Sequence, residues 1–457
     1  MLTNISILKR INKGSDRSKA MVSGSFLMIA SNVISNLTRV GLISVLTRLY
    51  TKEQFGLWAT ITSATAIMAT TDLGIGNALR NKLAALRLQN QAGTDDEARE
   101  YFLSVLYFFL LIAVVIAAVL LLLHNAIPYQ QIFKTDDKSL QEQGTLVLLA
   151  VQSIFLLSIP LGIGSTMFFA YAESAWVAGF SIINGVLALV IISVLAWAGN
   201  SVVVTAITFF LLQFFISLAG TLVFMHRRNW HPLRVNLKRG FRRVLSLLSL
   251  SLTFAVLQFA GVFVYNATTI VVTAKVGLTE SADFNLVQKL YTFLIAVYLS
   301  LYNPLWAGFA EAVHKNDWAW AKKTLSKTIL ITTVLFGAAL LVFTFFGDVF
   351  MAILGGSRYT GHPIIFFVMG CWALFYCLYS VTVAFLSATA KIGLITVITA
   401  LMAVVFTNAS IFLCAKMGVA GIALWSAFTF FLLTCVAYYH SLYQIRKAQV
   451  NSVNPSL

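Results

Sequence analysis

The sequence predicts an all-α polytopic membrane protein with about 12 transmembrane helices, and three observations support this. Hydrophobic residues make up 59% of the 457 residues and charged residues only 11%, whereas a soluble domain carries about 25% charged residues. Apolar runs of the roughly 20 residues that a spanning helix needs recur from Met21 to Tyr443. The runs are continuous rather than alternating, which excludes a transmembrane β-barrel.

The length of each apolar run and its flanking charges predict where the spans lie. The predicted spans are 21–48, 55–79, 101–123, 144–171, 175–198, 201–225, 244–274, 282–312, 324–354, 361–389, 392–415 and 418–443.

The charge distribution predicts that both termini are cytoplasmic. The formal net charge is +16, which in a soluble protein would suggest nucleic-acid binding. Here the positive-inside rule explains it better. With the N-terminus inside, 22 lysines and arginines fall in cytoplasmic segments and 6 in outer loops. This asymmetry requires an even number of spans, and we expect no nucleic-acid partner.

A basic segment at the midpoint divides the chain. The run His226–Arg243 contains seven arginines and lysines and no acidic residue. We interpret 226–243 as a cytoplasmic linker between an N-terminal six-helix half, 1–225, and a C-terminal half, 244–457. The linker also suits contact with anionic headgroups of membrane lipids. Asn77 and Asn303 end equivalent runs of the two halves, which favours a pseudo-symmetric repeat with a site between the halves.

Polar residues inside the predicted spans are the candidate substrate-binding residues. In the first span Asn32, Asn36 and Arg39 share one helical face. Such a stripe is costly against lipid, so it faces other helices or water. The other candidates, in the second, seventh and eighth spans, are Asp72, Gln258, Tyr265, Asn285 and Lys289.

Two interpretations of these stripes are open. Hydroxyl and amide side chains often only link helices by hydrogen bonds, and Arg39 with Asp72 can form a structural ion pair. Alternatively, Arg39 and Lys289 line a hydrated cavity that selects an anion, because the planar guanidinium suits phosphate oxygens. Asp72 would then be the cation's partner or a coupling residue. Glu173 and Glu311 are candidate gate or coupling residues, although acids near helix ends are often simply solvated.

No cofactor or metal is expected. The four cysteines lie in apolar runs without metal-ligand spacing, and are best explained as small buried hydrophobic residues. A glycine-rich phosphate loop and an ATP-binding domain are not found in the sequence, which argues against ATP hydrolysis. The chain is therefore not expected to be an enzyme.

Three segments resemble a known family. They read FGLW at 55–58, TDLGIGNAL at 71–79 and NPLWAGFAEA at 303–312. Together with the basic linker and the span number, they are similar to bacterial polysaccharide-unit flippases of the O-antigen (Wzx) type. These belong to the multidrug/oligosaccharidyl-lipid/polysaccharide (MOP) exporter superfamily. In the family a Pro more often follows the Trp, whereas here Pro304 precedes Trp306.

The resemblance implies two six-helix bundles around a central cavity in the bacterial inner membrane. The implied substrate is an oligosaccharide on undecaprenyl pyrophosphate, flipped to the outer leaflet by alternating access for O-antigen lipopolysaccharide or another surface polysaccharide. Arg39 and Lys289 would then hold the pyrophosphate. A polysaccharide polymerase and a chain-length regulator are the expected protein partners.

Two other functions compete with this one. A cation-coupled multidrug exporter of the same superfamily would need a membrane carboxylate, for which Asp72 is the candidate. A polysaccharide polymerase or membrane glycosyltransferase would need a large outer loop or a catalytic domain. The longest predicted outer loop, 124–143, is too short for that role.

Overall fold

The computed structural model describes residues 16–68, 75–89, 93–123, 138–171, 173–231, 239–247, 266–389 and 393–453. Within these ranges the regular structure is helical and no strand occurs. The helices are α1 Asp16–Leu49, α2 Lys52–Met68, α3 Ile75–Gln89, α4 Thr94–Leu122, α5 Lys138–Thr166, α6 Ser174–Trp197, α7 Val202–Arg227, α8 Leu278–His314, α9 Trp318–Gly355, α10 Pro363–Ala388 and α11 Gly393–Val453. Shorter helical segments lie at 239–247 and 266–275.

The predicted all-α membrane architecture is confirmed. Seven of the described helices are long and apolar enough to cross a bilayer: α4 to α7 and α9 to α11. The last of them is two helices joined at Gly418, whose φ of 61° and ψ of −145° interrupt the helix. That break falls at the first residue of the predicted span 418–443, just after the predicted span 392–415. A left-handed φ is costly for residues other than glycine, which explains the residue type here.

The predicted second span, 55–79, is helical in two described pieces. α2 ends at Met68 and α3 begins at Ile75. The N-terminal end of the first span also extends further than predicted, since α1 begins at Asp16 rather than at Met21. Apolar content locates the spans, but helices continue past the apolar region wherever flanking residues keep their backbone hydrogen bonds.

The chain forms two compact units. The first contains α1 as far as Leu42, α3, α4, α5 from Leu148, α6, α7 and the segment 239–247. The second contains the end of α1, α2, the start of α5, the segment 266–275 and α8 to α11. The division into sequence halves at 226–243 stays a prediction.

The first unit has an aromatic core near its predicted cytoplasmic end. The ring of Phe224 on α7 contacts Phe102 on α4 at 5.4 Å, Phe168 at 5.2 Å and Trp230 at 5.5 Å between centroids. All four side chains are buried. Aromatic pairs at this separation add stability beyond the area that they bury. The core therefore holds the loop residues that follow α5 and α7 in fixed positions.

In the second unit α2 packs closely on the start of α8. Gly56 of α2 lies against the backbone carbonyl of Leu278, which a Cβ at that position would overlap. One turn later, Thr60 contacts Thr273 with a hydroxyl–hydroxyl distance of 2.7 Å. Small residues spaced four apart allow helix backbones to approach closely in membrane proteins. α2 is thus fixed on helices that come much later in the sequence.

Candidate functional site

Arg39 lies in the interior of α1, within the first unit. It is ten residues before the helix end at Leu49, which corresponds to about 15 Å along the axis. Its side chain is exposed. Among the described residues, no hydrogen bond or ion pair satisfies its guanidinium. An arginine at this depth is rare unless it faces water, a polar partner or a ligand, so Arg39 is the principal candidate for binding an anion.

Neighbouring residues of α1 show which face of the helix is occupied. Thr38 packs against Gly185 of α6, where a Cβ would come within 2.5 Å of the threonine hydroxyl. Ser35 donates a hydrogen bond to the carbonyl of Ser181, also on α6, at 3.4 Å. At about 100° per residue, Arg39 lies about 40° around the helix from Ser35 and about 100° from Thr38, so it is at the edge of this contact.

The two asparagines of the predicted stripe lie on the same side of α1 as Arg39 and are partly buried. The side chain of Asn36 donates to the backbone carbonyl of Asn32 at 2.8 Å. One N–H of the Asn36 amide therefore donates to the backbone of its own helix, as short polar side chains often do. Its oxygen, and the amide of Asn32, are the groups of this pair that a sugar hydroxyl could contact.

In the second unit Asn285 belongs to a buried hydrogen-bond network. Its amide nitrogen donates to the hydroxyl of Thr269 at 3.2 Å, and that hydroxyl donates to Gln288 at 3.3 Å. The amide of Gln288 donates in turn to Thr268 at 3.2 Å. These four side chains are at most 4% exposed. The network joins the segment 266–275 to α8, which makes Asn285 a residue that links helices.

The network continues through hydroxyl groups towards α2. Thr273 donates to Ser281 at 2.7 Å, and its own hydroxyl also contacts Thr60. Buried polar groups are costly unless each is paired. The paired hydroxyls and amides therefore hold α2, α8 and the segment 266–275 in one arrangement.

Lys289 follows this network by one residue after Gln288 and is partly buried. It lies eleven residues after the start of α8 at Leu278, or about 16 Å along the axis. Arg39 and Lys289 are thus at similar distances from the predicted outer ends of their own helices. The candidate cation of the second unit is a compact ammonium group, and that of the first unit is a planar guanidinium.

Glu173 is held by two arginines within the first unit. Arg228 approaches it at 3.0 Å between Nη2 and Oε1, and Arg227 at 3.7 Å between Nε and Oε2. The Arg228 guanidinium also stacks on the ring of Tyr171, with 3.4 Å between the guanidinium carbon and the ring centroid. Arg227 lies over Trp176 at 5.0 Å. A gating or coupling role for Glu173 stays a prediction.

One further ion pair and two hydrogen-bonded contacts connect the basic segment after α7 to the start of α4. Trp230 donates its indole N–H to Asp95 at 3.1 Å, and Arg243 pairs with Glu100. Arg99 donates to the carbonyl of His231 at 2.6 Å. The sequence analysis interpreted 226–243 as a linker that also suits contact with lipid headgroups, and it missed this cluster. The available signal was the set of aromatic residues at 171–176 and at 224–230, the second of which flanks two arginines.

At the predicted outer end of the second unit, Lys52 of α2 pairs with Asp283 of α8 at 2.9 Å. The ammonium group also lies 5.5 Å from the centroid of Tyr359. The position of Asp283 near the start of α8 is by itself typical of an acidic residue that complements a helix N-terminus. Its contact with Lys52 adds a bond between helices that sequence position does not reveal.

Several predicted site residues lie outside the described residues: Asp72, Gln258 and Tyr265. The backbone of Glu311 is helical, near the end of α8. In the part of the chain that the structure describes, no three histidine, cysteine, aspartate or glutamate residues gather to hold a metal ion.

Comparison with solved structures shows the fold. A structure described as the inward-facing conformation of a multidrug resistance MATE family transporter of the MOP superfamily is 14% identical, with a TM-score of 0.72 over 94% of this chain and 99% of that chain. The outward-facing conformation of such a transporter is 14% identical, with a TM-score of 0.62 over 96% and 98%. A MOP superfamily transporter from Pyrococcus furiosus Vc1 (DSM3638) is 14% identical, with a TM-score of 0.60 over the same shares.

Sequence comparison shows the family. No curated protein matches this chain significantly. The sequence profile of the family described as polysaccharide biosynthesis protein matches residues 21–304, which is more than half of the chain. The fold expected from the resemblance to the MOP superfamily is confirmed. This chain belongs to the polysaccharide biosynthesis protein family and has the fold of MOP-superfamily transporters.

Proposed function

We propose that this protein is a flippase that moves an oligosaccharide on undecaprenyl pyrophosphate from the inner to the outer leaflet of the bacterial cytoplasmic membrane by alternating access. One observation carries the proposal: Arg39 is exposed in the interior of α1, ten residues from the helix end, with no partner among the described residues. Family membership supports the link to polysaccharide.

The distribution of acidic residues supports an anionic substrate. Every acidic residue within the described ranges lies in a turn or within about two turns of a helix end. Arg39 and Lys289 are deeper in their helices than any of these acids. A pyrophosphate must exchange its water shell for protein groups during transfer, and a guanidinium presents donors in a geometry that matches phosphate oxygens.

One relative with the same fold supports a change of substrate class within the superfamily. The Pyrococcus furiosus structure carries the description that reverse polarity of its binding pocket suggests a different function. We infer that the cations of this chain likewise adapt the common fold to an anion.

The experiment compares Arg39→Ala, Lys289→Ala and the double variant in a strain that lacks the chromosomal gene. Surface polysaccharide and the amount of membrane-inserted protein are both measured. We expect the double variant to lose display and to accumulate lipid-linked repeat units on the cytoplasmic side. Lys323→Ala is the matched control, since Lys323 is an exposed cation five residues after the start of α9. Full display in both single variants and the double variant would contradict the proposal.

The competing function is cation-coupled multidrug export. Its membrane carboxylate would be Asp72, because the described acids lie near helix ends. An Asp72→Asn strain separates the two: drug sensitivity with normal polysaccharide would favour drug export, and lost polysaccharide with unchanged drug tolerance would favour flipping.

A further inference from the structure

A shallow apolar groove runs along α6 in the first unit. It is lined by Ala175, Trp176, Gly179, Phe180 and Ile183 and has a volume of about 200 Å³. These residues share one helical face. Small-molecule pockets typically have volumes of about 300 to 1,000 Å³. The groove is therefore better suited to part of one hydrocarbon chain than to a whole drug-sized ligand.

The shape of the groove depends on one glycine and two fixed rings. No atom lies within 4 Å of the position that a Cβ would take on Gly179, so this residue leaves a notch in the helix surface. Trp176 stacks on Phe168 with 5.8 Å between centroids, and contacts Phe180 at 6.1 Å. The wall of the groove is thus held by the aromatic core of the unit.

A cation stands at the end of the groove near the start of α6. Arg227 lies over the Trp176 ring, and its side chain is 45% exposed. Its Nε is 3.7 Å from Glu173, which is too long for a hydrogen bond. Among the described residues, no hydrogen bond satisfies its terminal nitrogens, so these donors can reach an outside acceptor.

We propose that this groove binds one anionic phospholipid of the cytoplasmic leaflet. The Arg227 guanidinium binds its phosphate and the Gly179 notch holds one acyl chain.

Charge complementarity identifies the occupant. Glu173 neutralises only one of the two charges of Arg227 and Arg228, so the end of the groove keeps a net positive charge. Basic side chains next to a membrane attract anionic lipids. The start of α6 and the end of α7 lie nearest the groove, and both are cytoplasmic in the predicted topology. The proposed lipid therefore belongs to the inner leaflet. The site would anchor the first unit there while substrate is moved elsewhere.

The test titrates phosphatidylglycerol into the detergent-purified full-length protein and counts retained lipid molecules by native mass spectrometry. Phosphatidylcholine is the zwitterionic reference. Arg227→Gln removes the headgroup contact, and Gly179→Trp adds a large side chain at a position where a Cβ meets no atom within 4 Å. We expect Arg227→Gln to weaken the first phosphatidylglycerol site by about tenfold, the usual scale for one charged hydrogen bond. Gly179→Trp should also weaken it, because the notch for the acyl chain is filled.

Two variants serve as matched controls. Arg242→Gln removes an exposed charge from the same basic segment, and Gly337→Trp adds bulk at a helix position that is equally open. Both should keep the first site, and thermal unfolding should confirm that all four variants are folded. Unchanged binding in Arg227→Gln and Gly179→Trp would overturn the proposal. An equal loss of phosphatidylglycerol binding in the two controls would also overturn it, as would equally tight binding of phosphatidylcholine. The same holds if undecaprenyl phosphate binds this groove much more tightly than phosphatidylglycerol.

Discussion

Arg48 of α1 binds the carboxyl-terminal end of α9, and Arg358, which follows α9, binds the carboxyl-terminal end of α1. Arg48, at the end of α1, donates to the carbonyl of Ile353 at the end of α9 at 2.7 Å. Arg358, in the turn after α9, donates to the carbonyl of Arg48 at 2.6 Å. The last carbonyls of a helix lack partners within the helix and carry partial negative charge. The two arginines therefore join two helix ends within the second unit.

We expect Arg48→Ala and Arg358→Ala each to destabilise the protein by about 1 to 2 kcal/mol, since each removes a charged donor from exposed or partly exposed carbonyls. The double variant should lose less than the sum, because both contacts hold the same pair of helix ends. Thermal unfolding in detergent measures the effect. Lys416→Ala, an exposed lysine whose described contact is the ring of Phe412, is the control. Strict additivity would show that the two caps act independently.

Gly56→Ala should be strongly destabilising, by about 1 to 3 kcal/mol or more, because a new Cβ would overlap the Leu278 carbonyl. The backbone of α8 cannot give way as a flexible side chain can. Gly337→Ala is the matched control, where the methyl meets open space. That change should be neutral or slightly stabilising, because alanine favours helix by up to about 1 kcal/mol. Equal melting temperatures for the two variants would rule out the close approach of α2 and α8.

Thr273→Val tests the buried hydroxyl network. It keeps the side-chain shape but removes the hydroxyl that contacts Thr60 and Ser281. We expect a loss of about 1 to 3 kcal/mol, the cost of leaving buried polar groups unpaired. Thr333→Val is the comparison, since that exposed hydroxyl donates to the backbone of its own helix at Ile329. If both variants unfold at the temperature of the parent protein, the network contributes little to stability.

Arg228→Lys should behave as a disruptive substitution. Lysine keeps the charge near Glu173 but loses the planar stack on Tyr171. We expect a lower unfolding temperature than in Arg242→Lys, whose side chain is exposed. The same variant reports on function: stability lost with normal polysaccharide display would mark the cluster as structural. Preserved stability with lost display would instead favour the predicted gating role of Glu173.

The helices themselves were largely predictable. Apolar length and flanking charge located α6, predicted at 175–198 and observed at Ser174–Trp197, and α10, predicted at 361–389 and observed at Pro363–Ala388. These signals are local, because a helix closes its backbone hydrogen bonds within the segment that forms it. The same periodicity placed Arg39, Asn32 and Asn36 on one face of α1.

Partners of polar side chains were not predictable. Asn285 was predicted to bind substrate, and that role stays a prediction; the sequence did not indicate that its amide donates to buried Thr269. Lys52 and Asp283 are 231 residues apart and still form an ion pair. Helical periodicity states which residues share a face, but not which helix that face meets.

By itself, the sequence determined that this protein is a bundle of membrane-crossing helices with cations deep in two of them, because hydropathy and helical period depend only on neighbouring residues. Only the tertiary structure decided which polar groups satisfy one another. Asn285 and Glu173 form contacts within their own units. Arg48 and Arg358 join the ends of α1 and α9. The tertiary structure left Arg39 without a partner among the described residues. The physical reason is that a buried polar group must be paired by whatever folding brings beside it, and folding brings together residues that the chain separates.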